Sequence, residues 1–306
     1  MDPNYSTVES VELSGASRPG VLLKNVYAVY ASQLRRWFGI AAPTSLLASI
    51  VLLMADQRIR AIYGGIPRGE LQYHWAEIVE AFAVRVGGFF VSWFLGCFTL
   101  AAIATTVNGL KADDSSEVWK SDSYQRAREH FGGLLLTAAL TFCIFLAGTA
   151  VFGFILSTLT RLVGWAHFAR FNLVASLISY VIVASIVSWF GMAIPLMLSS
   201  DIGVWRSLKK SLKISNGYEG FLFLLVVESL AGSYVGWYAV HYGLSLLLPP
   251  QFQYTAWYGW LVYGLSILAS AAVQPPMFIG FSLLAAKELP IHHPFHTPSR
   301  RRTSIS

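Results

Sequence analysis

Gly132–Thr160 reads GGLLLTAALTFCIFLAGTAVFGFILSTLT, 29 residues without one charged side chain. A helix rises about 1.5 Å per residue, so about 20 apolar residues cross a hydrocarbon core of about 30 Å. This stretch is long enough to span a membrane. Lipid offers the backbone no hydrogen bonds, so such a stretch satisfies its own as a helix. Five further stretches qualify, at roughly 37–54, 81–107, 171–199, 218–248 and 257–286. The first is the shortest and contains Pro43. Alternation of the barrel kind is not visible. The expectation is an all-α integral membrane protein with six transmembrane helices.

Composition agrees. The 306 residues are 55% hydrophobic and 12% charged, with a mean hydropathy of +0.55. A soluble domain carries about 25% charged residues, and the deficit is explained if lipid covers much of the surface. Aromatics reach 14% with 10 Trp, which suits interfacial anchoring. Cys97 and Cys143 sit in separate apolar runs without nearby His or Asp. They read as small buried hydrophobes, not as a redox or metal pair. No metal, cofactor or nucleic-acid signature is present.

Lys and Arg set the orientation. Sixteen fall in four segments: Arg18, Lys24, Arg35 and Arg36; Lys111, Lys120, Arg126 and Arg128; Arg206, Lys209, Lys210 and Lys213; and Lys287 with Arg300–Arg302. Five fall on the other side, at Arg58, Arg60, Arg68, Arg161 and Arg170, and Arg85 lies just inside the second span. The excess places both termini on the cytoplasmic side. Residues 1–20 are polar and Ser-rich, without the apolar core of a signal peptide. They read as a disordered cytoplasmic tail. Residues 21–288 form the membrane domain, and 289–306 a disordered basic tail.

One unit recurs three times. Arg35-Arg-Trp-Phe-Gly39, Arg128-Glu-His-Phe-Gly132 and Asn216-Gly-Tyr-Glu-Gly220 each set an aromatic ahead of a span. Phe38, Phe131 and Tyr218 stand 93 and 87 residues apart. Trp119-Lys-Ser121 also echoes Trp205-Arg-Ser207. The pattern predicts three transmembrane hairpins, each preceded by a cytoplasmic amphipathic helix. In the third lead-in Ile202, Trp205, Leu208 and Leu212 form an apolar stripe, with Arg206, Lys209, Lys210 and Lys213 largely on other faces. That is the pattern of a helix lying in the headgroup plane. A similar stripe runs Tyr27, Tyr30, Leu34 and Trp37, with Arg35 and Arg36 at its end.

Pro195-Leu-Met-Leu-Ser-Ser-Asp201, followed by Trp205-Arg-Ser-Leu-Lys-Lys-Ser-Leu-Lys-Ile-Ser-Asn-Gly217, resembles a recurring segment of bacterial membrane proteins. The group includes the membrane domain attached to some glycerophosphoryl diester phosphodiesterases. The closing stretch Val273-Gln-Pro-Pro-Met-Phe-Ile-Gly-Phe-Ser-Leu-Leu284 is similar to that group's last helix. It ends in Ala-Ala-Lys-Glu288, where the group has a tyrosine-rich ending. The resemblance implies a membrane domain without catalysis, because in the phosphodiesterases the chemistry belongs to a soluble barrel of about 250 residues. No segment here has that size.

Glu228 lies about ten residues into the fifth span, near the bilayer midplane. A carboxylate there is costly, and it serves either as a transporter's proton or cation site or as a hydrogen-bonded structural group. Arg85 is a candidate partner. Pro43, Pro195, Pro275 and Pro276 kink their spans, and Gln274 beside the last pair can bond a freed carbonyl. His241 falls among Trp237, Tyr238 and Tyr242, an interfacial aromatic cluster. His292, His293 and His296 sit among prolines in the tail, and Asp113–Glu117 lacks the ligands of a calcium loop. Walker, HExxH and GxSxG patterns are absent.

Two readings stand. One, in line with the resemblance, is a non-catalytic protein of the bacterial plasma (inner) membrane in envelope or lipid-related organisation, contacting anionic lipid headgroups through its cytoplasmic collar, with room for a protein partner. The other is a transporter or permease for a small or lipid-like solute, using Glu228 and the kinked helices.

Overall fold

The computed structural model describes residues 19–66, 73–111, 120–163, 168–200, 202–253 and 256–287. Among these residues the secondary structure is helical, without strands. Six segments have the length and apolarity to cross a membrane: Leu34–Gly64, Trp75–Asn108, Phe131–Ile155, Tyr180–Ser200, Glu219–Leu247 and Trp257–Lys287. They are the helices of a multi-pass membrane protein.

The helices in order are α1 (Pro19–Ser32), α2 (Leu34–Gly64), α3 (Trp75–Lys111), α4 (Lys120–Glu129), α5 (Phe131–Val163), α6 (Phe168–Phe190), α7 (Ala193–Ser200), α8 (Val204–Ser215), α9 (Glu219–Leu247), α10 (Pro250–Gln253), α11 (Ala256–Val273) and α12 (Pro275–Lys287). The first span, expected to be the shortest, is a helix of 31 residues. Its polar stretch Asp56-Gln-Arg-Ile-Arg60 continues the helix, and Asp56 and Arg60 pair one turn apart at 2.7 Å. Arg58 reaches Glu80 of α3 at 2.5 Å.

The prolines act differently from one another. Pro43 leaves α2 continuous. Pro195 divides the fourth span into α6 and α7, and Pro275 with Pro276 divides the sixth into α11 and α12. A proline removes the N–H owed to the carbonyl four residues back. For Pro195 that carbonyl belongs to Gly191, where the helix is interrupted. A Cβ on Gly191 would sit 2.6 Å from the Phe281 ring, so glycine alone lets α12 approach the break. Gly232 and Gly236 do the same between α9 and α11, where added Cβ atoms would lie 2.4 Å from Val273 and 2.8 Å from Ala269. Spaced by four, they place bare backbone on one face.

Packing is concentrated at one end. Trp37, Ile40, Ile103, Leu134, Leu196, Leu222, Leu225, Ile279 and Leu284 are fully buried. They come from the first turns of α2, α5 and α9 and the last turns of α3, α7 and α12. The short helices α1, α4 and α8 lie at this end, α1 against α12, α4 against α3, and α8 against α7 and α6. At the opposite end Met54, Phe82, Phe154, Val235 and Leu247 are exposed on the bundle surface. Cys97 is half-buried, as an apolar filler would be, but Cys143 is exposed on the outside of α5. Its run is apolar because it faces outward, not because it faces the core.

Candidate functional site

Three features of the bundle could carry function: the basic face of α8, a set of clasps between short and spanning helices, and a half-open cavity between helices.

Helix α8 has three faces. Ser207, Leu208, Ser211, Ile214 and Ser215 are buried against the bundle. Next round the helix, Trp205 and Leu212 are 64% and 41% exposed. Beyond them Arg206, Lys209 and Lys213 are exposed, with Lys210 half-buried. The apolar stripe expected from hydropathy therefore splits. Leu208 turns inward, and Trp205 and Leu212 turn outward. The face that packs is made of serines, which a hydropathy pattern passes over. The signal in the sequence was the four-residue spacing of Ser207, Ser211 and Ser215, small residues that let helices approach. Lys209 lies 5.4 Å over the Trp205 ring. None of the four cations has an acidic partner among the described residues. Arg35 is exposed as well, while Arg36 bonds the Gln33 side chain at 3.2 Å.

Each short helix also hands one hydroxyl to a carbonyl near a proline irregularity of a spanning helix. Tyr30 of α1 donates to Ala272 O, the carbonyl that Pro276 leaves without its helical donor. Tyr124 of α4 donates to Ile40 O, next to the carbonyl freed by Pro43. Ser211 of α8 donates to Trp189 O at 2.8 Å, at the α6–α7 break. Gln274 was expected to serve the proline pair, but Tyr30 does so. The backbone N–H of Gln274 continues α11 to Ser270 O at 3.0 Å.

Glu228 lies on the outside of α9, exposed, and accepts a hydrogen bond from Tyr27 of α1. Partial burial, then this bond and the carboxylate's charge, push the Tyr27 hydroxyl above its ordinary value, so it stays a donor. Arg85 is not the partner of Glu228. It is exposed on α3, with Asp56 of α2 at 3.8 Å. His241 stacks on Trp237 with ring centres 5.4 Å apart and lies 3.2 Å from the Tyr258 hydroxyl, a residue the sequence did not single out.

A cavity of about 340 Å³ lies among α3, α5, α6, α7, α9 and α12. Both helix breaks reach its wall, through Gly191 and Gln274. Ser229 and Ser233 line it from α9, and Trp93, Phe190 and Phe281 supply apolar wall. Glu228 points away from it. Among the described residues no group of three or more His, Cys, Asp or Glu could hold a metal. Asp113–Glu117, His292, His293, His296 and Arg300–Arg302 lie outside the described residues. Compared with protein-family models, curated proteins and solved structures, the chain matches none.

Proposed function

We propose that this chain is a non-catalytic membrane protein of lipid-related organisation whose collar of short helices rests on anionic headgroups. One observation carries the reading. On α8 an exposed apolar pair, Trp205 and Leu212, lies directly beside four cations without acidic partners among the described residues. A water-facing helix has no use for an exposed Trp next to its packed face. A helix at the lipid boundary does, because the ring enters the acyl region while Lys and Arg reach the phosphates. Each such cation contributes about 1 kcal/mol near an anionic leaflet.

In this reading the bundle is three hairpins, each led by a collar helix, with both termini on the cytoplasmic side of the plasma membrane. The likeness of the segment from Pro195 to Gly217 to phosphodiesterase-associated membrane domains belongs to the same reading.

The test is made on the full chain in bilayers of phosphatidylcholine with one-fifth phosphatidylglycerol. Spin-labelled phosphatidylglycerol should quench the fluorescence assigned to Trp205, by difference from Trp205→Phe, more than spin-labelled phosphatidylcholine does. The triple change Lys209→Gln, Lys210→Gln and Lys213→Gln should bring the two to parity. Equal quenching in the unaltered protein would remove the proposal.

A further inference from the structure

We propose that the cavity between the two broken helices is a binding site for an uncharged, mainly apolar molecule with one hydrogen-bonding end, such as an alcohol or an amide.

Hydrogen bonding inside the bundle points there first. Many hydroxyls of the spans bond back to their own helix. Thr99, Thr106, Thr137, Thr149, Ser188 and Ser282 all donate to a carbonyl one turn earlier. Ser229 and Ser233 do not, and with the Gln274 amide they have no hydrogen-bond partner among the described residues. Ser229 is only 5% exposed, and all three line this one cavity. These three polar side chains therefore offer a bound molecule hydrogen-bonding groups that the chain does not already use.

Position and shape agree. Ser229 is ten residues into α9, about 15 Å along the helix from its start. Interrupted helices leave backbone groups available to a bound molecule, and here Gly191 and Gln274 stand at the two interruptions. The volume lies at the low end of the roughly 300–1,000 Å³ of small-molecule pockets.

Charge settles the class. No Asp, Glu, Lys, Arg or His lines the cavity, and Glu228, one residue from Ser229, faces the other way. A charged ligand would lie among these walls without a counter-charge. The remaining wall is aromatic and aliphatic, so the body of the ligand is apolar.

The full chain in nanodiscs is photolabelled with a diazirine derivative of 1-decanol, and the sites are mapped by mass spectrometry. Labelling should saturate at one per chain, at Val226–Ser233 and Gln274–Phe278. Unlabelled 1-decanol should compete at least tenfold better than decanoate at pH 9 or decyltrimethylammonium. Among alcohols, competition that strengthens from 1-butanol to 1-decanol assigns a membrane-dissolved amphiphile, and competition confined to 1-butanol a water-borne solute. Ser229→Leu, which fills the cavity, should reduce labelling at least tenfold. The smaller double change Ser229→Ala with Ser233→Ala should weaken the apparent affinity about fivefold, a hydrogen bond's net worth. Unsaturable labelling spread over lipid-facing residues such as Phe154 and Leu247 would overturn the proposal. So would equal competition by the charged analogues, or labelling that neither variant alters.

Discussion

The two ends of this bundle use the same kinds of residue differently. At the end bearing the short helices, Leu222 is wholly buried between helices. At the other end of the same helix, Leu246 is 70% exposed. Hydropathy scores the two positions alike. In water the exposed leucine would be a liability, but in lipid it is solvated by chains as apolar as itself. Association of the helices therefore rests on packing and hydrogen bonds, and both are concentrated at one end. The first end behaves as a frame. The second is held mainly by the lipid around it, and the cavity lies among the helices between them.

Paired substitutions can break this comparison. The largest effect is expected for Leu222→Ala. A void left in a close-packed site costs about 2 kcal/mol or more, even where the transfer of the side chain to lipid contributes little. Leu246→Ala should stay within about 0.5 kcal/mol. Thermal unfolding in one detergent measures both, and equal losses would mean that the two ends do not differ as described. Next come the glycines. A Cβ on Gly280 would lie 2.4 Å from Leu225 Cδ1, whereas one on Gly243 meets nothing within 4 Å. Gly280→Ala should cost about 1–3 kcal/mol through overpacking, and Gly243→Ala should stabilise slightly through helix propensity. Smaller still is Tyr30→Phe, which strips the Ala272 carbonyl of its donor and should cost about 1 kcal/mol. Its hydrogen exchange signature should be faster opening around Val273–Gln274, with the first turns of α5 unchanged. The smallest change has the opposite sign. Ser266 is buried with its hydroxyl unpartnered, so Ser266→Ala should leave stability unchanged or raise it by a few tenths of a kcal/mol.

The difference between the clasped prolines adds a further lesson. Pro43, Pro195 and Pro275 are alike as sequence features. Pro43 sits in a helix that continues, beside the buried pair Thr44 and Thr99, whose hydroxyls meet at 2.5 Å. The other two divide theirs, because Gly191 admits the Phe281 ring at one break and a second proline follows at the other. Nothing local to a proline states which outcome follows. It depends on what packs around each irregularity, and the hydroxyls that bond there come from α1, α4 and α8.

The sites show the same limit. Glu228 stood out because a carboxylate in an apolar run is conspicuous, yet it faces outward to Tyr27. Ser229, its neighbour, was passed over because serine is unremarkable in a membrane helix, yet it faces the cavity. One residue of helix rotation, about 100°, separates them.

Run length and charge by themselves determined that the chain is helical and that six segments are long and apolar enough to cross a membrane, although the first helix runs ten residues past the stretch expected. The reason is that a bilayer tests each segment separately, by its length and its cost of dehydration. Only the tertiary structure decided which face of each helix is inside, which prolines divide their helix and which leave it continuous, and that two breaks open on one cavity. Those depend on contacts between residues far apart in the chain, such as Tyr30 with Ala272 and Gly191 with Phe281, which no single segment carries.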